Sequence, residues 1–130
     1  MKAMPQSPKF SIIIPVYNRP QEVQELLESL THQTTGDFEV IIVEDGSSVR
    51  CEEIARSFAD KLTISYIEKE NGGPAAARNF GATKANGEWL IFFDSDCLIP
   101  EHYITDAISE LQQHDCQLFG GADRSHPSFT

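Results

Sequence analysis

Cysteine is scarce in this sequence, and its scarcity excludes a disulfide-stapled scaffold. Cys51, Cys97 and Cys116 leave one thiol over in any pairing, and none stands in a C-x-x-C or Cys/His spacing that would bind a metal. We therefore interpret them as structural thiols, which behave as small apolar side chains. A reducing compartment is expected, and the cytoplasm is the simplest one.

Long apolar runs and positive charge are also lacking. The longest apolar runs, residues 12–16 and 89–93, are far shorter than the roughly 20 residues of a membrane-spanning helix. Residues 1–9 form a predicted tail without a signal peptide. Ten Lys and Arg stand against twenty Asp and Glu, and the net charge of −10 opposes binding to nucleic acid or to an anionic lipid surface. An anionic ligand would need a local cation.

The sequence does contain a regular alternation of strand-length apolar runs with segments of helical period, which predicts βαβ units. We predict strands over residues 10–16, 38–43, 62–67 and 89–93, and the start of a fifth strand at 117–120. A helix is predicted after each of the first four strands. The predicted helix starts and stops are a cap at Asn18, a cap at Ser47 or Ser48, Pro74, Pro100, and a left-handed Gly87 just past the third helix.

The predicted strands lack polar alternation, which indicates that both of their faces are covered by helices. We therefore predict an α/β fold over residues 10–122, built on an open sheet that is parallel and mixed in direction at its edge. In such sheets ligands bind beyond the carboxyl ends of the strands, where the connections diverge to opposite faces. The residues that follow each strand are therefore the candidates for function.

Polar clusters follow all four strands at that edge. They are Tyr17-Asn18-Arg19, Glu44-Asp45-Gly46-Ser47, Asn71-Gly72-Gly73 with Arg78, and Asp94-Ser95-Asp96. The carboxylates of the last cluster would repel a diphosphate, by about 4 kcal/mol for a charge pair at roughly 4 Å and an effective dielectric near 20. A divalent cation reverses that sign, and carboxylate oxygens suit Mg²⁺ or Mn²⁺.

Each assignment has a structural alternative at this point. A D-x-D match is weak by itself, and only its place after a buried strand favours a metal or ligand site over a solvated turn. Asp45 fits an Asx turn as well as a contact to a base or ribose. Taken alone, Arg78 fits a surface salt bridge slightly better than an anion contact. The glycines at 72 and 73 match neither the dinucleotide nor the phosphate-loop fingerprint.

Four segments, in order along the chain, resemble family 2 glycosyltransferases of the GT-A fold. They are residues 11–18 (SIIIPVYN), 40–47 (VIIVEDGS), 71–81 (NGGPAAARNFG) and 94–96 (DSD). The resemblance implies a Rossmann-like half that binds a nucleotide-sugar donor with a divalent metal. It also implies inverting transfer of the sugar to the hydroxyl of a saccharide or lipid-linked acceptor, in polysaccharide or glycolipid synthesis. Uridine is the nucleoside that the resemblance favours.

The resemblance assigns roles to seven residues of this chain. Pro15, Tyr17 and Asn18 would frame the nucleoside, Asp45 would contact the base, Arg78 would lie near the base or diphosphate, Asp94 would approach the ribose, and Asp96 would hold Mn²⁺ or Mg²⁺. Two other classes of protein fit less well. A nucleotidyltransferase would need an early glycine-rich segment followed by basic residues, and a receiver-like module would need an acidic pair where Val16-Tyr17-Asn18 stand.

A catalytic base is not apparent in the sequence. The resemblance places the base well after the D-x-D element, and none of the acids after Asp96 stands in a recognisable base motif; they are Glu101, Asp106, Glu110, Asp115 and Asp123. We therefore expect the base beyond Thr130, residues 123–130 as a tail leading to an acceptor-binding half, and little transfer by this chain alone. Apolar surface meant for that half would favour self-association. Membrane association of a full-length enzyme is left open.

Overall fold

The computed structural model describes residues 8–114, and their four strands form one parallel sheet. The elements are β1 (Phe10–Val16), α1 (Pro20–Leu30), β2 (Phe38–Asp45), α2 (Glu52–Ser57), β3 (Ile64–Lys69), α3 (Pro74–Thr83), β4 (Trp89–Phe92) and α4 (Tyr103–His114). The strand order is β3-β2-β1-β4, and all three pairings are parallel. The predicted α/β class is confirmed. A mixed edge does not occur among the described strands, and the predicted fifth strand at 117–120 lies outside the described residues.

The order of the strands creates a switch point beside β1. The chain steps outward from β1 to β2 and β3, and then α3 returns it to β4 on the other side of β1. β4 ends where Phe92 pairs with Ile13, whereas β1 continues to Val16. The residues after β4 therefore turn away beside the last residues of β1, where a crevice is expected.

Both faces of the sheet are covered, as the unbroken apolar runs predicted. Ile12, Ile14 and Ile42 face a core formed with α1, α2 and α4. Ile13 and its neighbours on the other face pack against Ala77 of α3. α3 lies very close to the sheet because Gly81 has no side chain: a Cβ there would lie 2.6 Å from Cγ2 of Ile13.

A buried carboxylate lies near the amino ends of the strands, at the end of the sheet opposite the crevice. Glu39 accepts hydrogen bonds from the Ser11 hydroxyl at 2.5 Å and from the Asn86 N–H at 2.7 Å. The Ser11 oxygen in turn accepts the Gly87 N–H at 2.8 Å. The prediction that Gly87 is a left-handed helix stop is wrong, because α3 ends at Thr83 and Gly87 has no positive φ. Gly87 is required for close approach instead, since a Cβ would lie 2.6 Å from the Ser11 nitrogen.

Several predicted boundaries and caps also differ from the structure. β2 extends two residues further, to Asp45, and β3 begins at Ile64 rather than at residue 62. Neither Asn18 nor the serines at 47 and 48 cap a helix; the N-cap residues of α1 and α2 are Arg19 and Cys51, without side-chain bonds. The Asn18 and Ser47 side chains have other partners, which are described below.

The remaining features of the described residues are simple. Cys51 and Cys97 are buried free thiols, as predicted, and Cys116 lies outside the described residues. α4 begins at Tyr103, three residues after Pro100. Between residues 8 and 114, no helix has the length and apolar character needed to cross a membrane.

Candidate functional site

A cleft of about 450 Å³ opens at the carboxyl ends of β1 and β4, within the size range of small-molecule sites. Its lining residues come from the ends of β1 and β2, from the segments after β1, β3 and β4, and from the starts of α1 and α3; they are Pro15, Val16, Tyr17, Arg19, Glu22, Asp45, Asn71, Gly73, Pro74, Asp94, Ser95 and Asp96. Five of the seven residues singled out from the sequence lie in this lining. The other two, Asn18 and Arg78, do not line the cleft: Arg78 contacts the lining residue Asp94, and Asn18 follows the lining residue Tyr17 and bonds to the β2–α2 loop.

Asp45, the last residue of β2, organises the turn that leads into α3. Its carboxylate accepts the N–H groups of Gly72 and Gly73, both at 3.0 Å, and the Lys69 ammonium at 3.2 Å. Its backbone carbonyl accepts the Asn71 amide at 2.9 Å. Burial by itself raises the pKa of Asp45, but the hydrogen bonds from Gly72, Lys69 and Gly73 outweigh it, and the pKa lies below its ordinary value of 3.8. Asp45 is therefore a buried anion with its oxygens already engaged.

We expect replacement of Asp45 by asparagine to change the acid sensitivity of the fold. Because folding lowers the pKa of Asp45, its ionised form stabilises the protein above the unfolded-state pKa, and this contribution disappears as the pH falls through the folded-state pKa. The unfolding free energy, measured in urea from about pH 6 to pH 3, should therefore fall more steeply for the wild type than for Asp45→Asn. The exposed control Asp60→Asn should follow the wild type, and equal slopes for all three proteins would contradict the prediction.

Glu44, next to Asp45, points to the other face of the sheet and is almost fully buried. Its carboxylate accepts the Ser47 hydroxyl at 2.5 Å, the Cys51 N–H at 2.8 Å and the Tyr66 hydroxyl at 2.9 Å. Burial, followed by the nearby Glu44, raises the pKa of both the Cys51 thiol and the Tyr66 hydroxyl. Both groups therefore stay neutral and stabilise the β2–α2 loop; the inert thiol fits the structural role predicted for Cys51.

Asn18 connects this loop to the end of β1. Its N–H donates to the Ser47 hydroxyl at 2.8 Å, and its side-chain oxygen accepts the N–H groups of Ser48 and Val49, both at 2.9 Å. Its φ of 55° lies in the left-handed region, which asparagine tolerates better than most residues. This turn presents Tyr17, which is 53% exposed, to the cleft. Asn18 thus fixes the loop that carries the exposed ring.

Charged residues are arranged in pairs around the cleft. Arg78 of α3 contacts Asp94 after β4 at 3.5 Å. The fold thus brings together two of the residues singled out from the sequence, which lie 16 positions apart. Arg19 contacts Glu22 at 3.6 Å. Sequence reasoning placed Arg19 in the first polar cluster without assigning it to the site, and it missed Glu22 altogether. The signal for Glu22 was its place in the first turn of a helix that starts at the ligand edge.

Asp96 differs from the other acids of the cleft. Glu22, Asp45 and Asp94 each contact an arginine or lysine, whereas exposed Asp96 has no cationic partner among residues 8–114. The same residues contain no group of three or more side chains arranged to hold a metal. Mg²⁺ is commonly bound by one or two carboxylates with substrate phosphates completing the shell. Asp96 with Asp94 fits such a site, in which the ligand supplies the remaining oxygens.

The sequence model of the family described as "Glycosyl transferase family 2" matches residues 11–128. The chain belongs to glycosyl transferase family 2. Among curated family relatives, an uncharacterized glycosyltransferase of Haemophilus influenzae is 49% identical over 92 residues, covering 70% of this chain and 31% of that protein. The poly(ribitol-phosphate) beta-N-acetylglucosaminyltransferase TarS of Staphylococcus aureus is 36% identical over 110 residues, covering 82% of this chain and 19% of TarS. The chain therefore spans less than a third of these relatives.

Solved structures of glycosyltransferases share the fold. TarS 1–349 in complex with UDP-GlcNAc matches with a TM-score of 0.80 and 34% identity, covering 85% of this chain and 33% of that one. The mannosyltransferase PcManGT from Pyrobaculum calidifontis, in complex with GDP-Man and Mn²⁺, matches with a TM-score of 0.73 and 27% identity, covering 83% of this chain and 33% of that one. Both the family resemblance and the GT-A-like fold predicted from the sequence are confirmed.

Proposed function

We propose that this chain is the donor-binding half of an inverting glycosyltransferase, which binds a nucleotide-diphosphate sugar and a divalent cation in the cleft. The observation that carries the proposal is the convergence at the switch point of the sheet of exposed Tyr17 and of Asp96, which has no cationic partner between residues 8 and 114. The complexes of TarS with UDP-GlcNAc and of PcManGT with GDP-Man and Mn²⁺ support it. The higher identity to TarS favours a uridine nucleotide.

The nucleoside is proposed to lie against β1 and the turn before α3. Pro15 and Tyr17 provide an apolar wall, and the Tyr17 ring is exposed enough to stack on a base. On the other side, Asp45 holds the Asn71–Gly73 turn in place, and the Asn71 and Gly73 positions line the cleft. The contact between Asp45 and the base, assigned by resemblance, remains a prediction. The carboxylate that would make it already accepts hydrogen bonds within the protein.

The diphosphate is proposed to lie between the two pairs of charges. Arg19 supplies a positive group in the cleft lining, and Arg78 contacts Asp94, which also lines the cleft and is proposed to approach the ribose. Asp96 is proposed to hold Mn²⁺ or Mg²⁺. When bound, the cation supplies charge neutralisation and Lewis-acid stabilisation of the departing diphosphate. Without it, Asp94 and Asp96 would disfavour the donor.

The transfer step needs a general base to deprotonate the acceptor hydroxyl. Within residues 8–114 the acids after Asp96 are Glu101, Asp106 and Glu110, and none of them lines the cleft. We propose that the base lies outside the described residues. The acceptor is proposed to be a saccharide or lipid-linked hydroxyl in polysaccharide or glycolipid synthesis. The buried free thiols are in keeping with a cytoplasmic site of action.

Calorimetric titration of UDP into the chain, with and without Mn²⁺, tests the proposed donor site. We expect binding that is much tighter with Mn²⁺ than without it, and weaker binding of GDP under the same conditions. The dissociation constant for UDP without Mn²⁺ divided by that with Mn²⁺ measures the contribution of the cation. This ratio is called the metal gain below. A folded protein that binds neither nucleotide in either condition would overturn the proposed function.

Removing the Tyr17 ring should weaken nucleotide binding independently of the metal. Stacking of a base on an aromatic ring contributes about 1–3 kcal/mol, so Tyr17→Ala should raise the dissociation constant for UDP about tenfold, with or without Mn²⁺. Tyr17→Phe keeps the ring and serves as the matched control, which should bind within about twofold of the wild type. A loss in Tyr17→Ala that appears only with Mn²⁺ would place the ring at the diphosphate rather than at the base.

A further inference from the structure

The connection between β4 and α4 carries Asp94 and Asp96 but forms neither helix nor strand between residues 93 and 102. Its backbone groups cannot satisfy one another along a regular ladder, so they need partners elsewhere in the molecule. The Phe93 N–H bonds the Ile13 carbonyl of β1, and the Cys97 N–H bonds the Asp94 carbonyl within the segment. The backbone groups of residues 99–101 have partners at the end of α1 and in the residues just after it, some 70 positions earlier in the chain. The second half of the segment that holds the proposed metal ligand is therefore positioned by a distant helix end.

Gln33 makes the central contact of this arrangement. Its side-chain Nε2 donates to the Pro100 carbonyl at 2.6 Å, and its Oε1 accepts the Ile104 N–H at 3.1 Å. One amide thus joins the irregular segment to the first turn of α4. Only a side chain that both donates and accepts can make this bridge.

The neighbours of Gln33 add further contacts to the same segment. The Thr34 N–H donates to the Glu101 carbonyl at 2.9 Å, and the hydroxyls of Thr34 and Thr105 lie 2.5 Å apart. The Ile99 N–H donates to the Ser29 hydroxyl at 3.1 Å. The contacts follow one another along the two segments, from Ser29 with residue 99 to Thr34 with residue 105.

Apolar packing alone does not fix this segment. Cys97 and Ile99 are buried, whereas their sequence neighbours Asp96 and Leu98 are exposed. Apolar burial is non-directional, so it sets the depth of the segment but tolerates small shifts along its length. Hydrogen bonds are directional and lose strength when donor and acceptor move apart. The lengthwise position of Asp96 therefore depends on the polar contacts of the next few residues.

We propose that Gln33 is a positioning residue for the metal site: its two hydrogen bonds fix the segment that places Asp94 and Asp96 in the cleft. The proposal rests on the donor and metal site described under the proposed function. Gln33 itself does not line the cleft, so it acts through the segment rather than by contact with the nucleotide. Its loss should consequently impair the metal gain and leave the nucleoside wall formed by Pro15 and Tyr17 intact.

The experiment compares Gln33→Glu with Gln24→Glu in the whole 130-residue chain. Gln33→Glu keeps the shape and an acceptor for Ile104 but removes the donor to Pro100, whereas Gln24 lies exposed on α1 and undergoes the same change of charge. UDP is titrated with and without Mn²⁺. We expect the metal gain to fall about tenfold in Gln33→Glu, as small misplacements of functional groups commonly cause, while the Mn²⁺-free affinity and Gln24→Glu stay at wild-type values.

A second variant separates geometry from charge and covers a failure to fold. Gln33→Met is similar in length and neutral, and it makes neither hydrogen bond, so it should show the same selective loss. An unchanged metal gain in Gln33→Met, or equal losses with and without Mn²⁺, would overturn the positioning role. If the wild type itself shows no metal gain, the proposed metal-assisted function is wrong; if the wild type and Gln24→Glu show it and the Gln33 variants match them, only the positioning role is wrong.

Discussion

Replacing Asp96 with asparagine is expected to move the affinity for UDP in opposite directions with and without Mn²⁺. With Mn²⁺ the dissociation constant should rise roughly 100-fold, because even groups that only orient metal ligands cost 10- to 100-fold when they are lost. Without Mn²⁺ the affinity should rise slightly, since the substitution removes a negative charge that repels the diphosphate by about 1 kcal/mol at an exposed position. Asp96 has no cationic partner in the described chain that could mask this effect.

Calorimetry on the wild type and three variants measures this reversal. Asp60→Asn removes the same charge at an exposed position in the turn after α2, so it should show wild-type affinity in both conditions. Asp94→Asn should lose part of the Mn²⁺-dependent affinity and also free Arg78 from its ion pair. If Asp96→Asn weakened UDP binding equally with and without Mn²⁺, Asp96 would be a direct contact of the nucleotide and not the holder of a metal.

The sheet could be predicted from the sequence because its strands are buried on both faces. Runs such as residues 12–14 carry the signal by themselves. The strand order, with β4 beside β1, could not be predicted, because the handedness of βαβ units does not select the edge at which the next strand joins. The end of β2 could not be predicted. Acidic residues are depleted in strands, so the predicted strand stopped before Glu44 and Asp45, which are in fact its last two residues.

These two acids are stable in the strand because of partners that the sequence does not reveal. Glu44 is satisfied in part by Tyr66, which is 22 positions away, and Asp45 by backbone N–H groups of a turn 27 and 28 positions away. The strand propensity of a residue depends on its near neighbours in sequence and does not include contacts with residues this far away. The residue types at the ligand edge were predictable, whereas the distinction between a side chain that faces the cleft and one that supports it required coordinates.

Asn18 shows the same limit at a helix end. An asparagine two residues before a proline fits an N-cap, and the local pattern favoured that interpretation. In the structure the side chain accepts two N–H groups of the β2–α2 loop instead. The competing partners belong to a different βα unit, and they become neighbours only because β1 and β2 pair in parallel with their ends aligned.

Gly46 is the position at which a single methyl group should do the most damage to the fold and the site together. Its φ is +75°, and a Cβ would lie 2.7 Å from the backbone nitrogen of Asn71. The left-handed conformation costs a residue with a side chain about 1–2 kcal/mol, and the clash is with backbone, which cannot move aside as a flexible side chain does. We expect Gly46→Ala to lower the unfolding free energy by about 2–4 kcal/mol.

The matched control is Gly36→Ala, since a Cβ at Gly36 meets nothing within 4 Å and its φ is not positive. Its unfolding free energy in urea should stay within about 0.5 kcal/mol of the wild type. Relief of the clash at Gly46 requires Asn71 to move, and Asn71 leads the turn that Asp45 holds through Gly72 and Gly73. The folded fraction of Gly46→Ala should therefore also bind UDP more weakly, with or without Mn²⁺. Wild-type affinity in that folded fraction would mean that the Asn71 turn does not contribute to the nucleoside site.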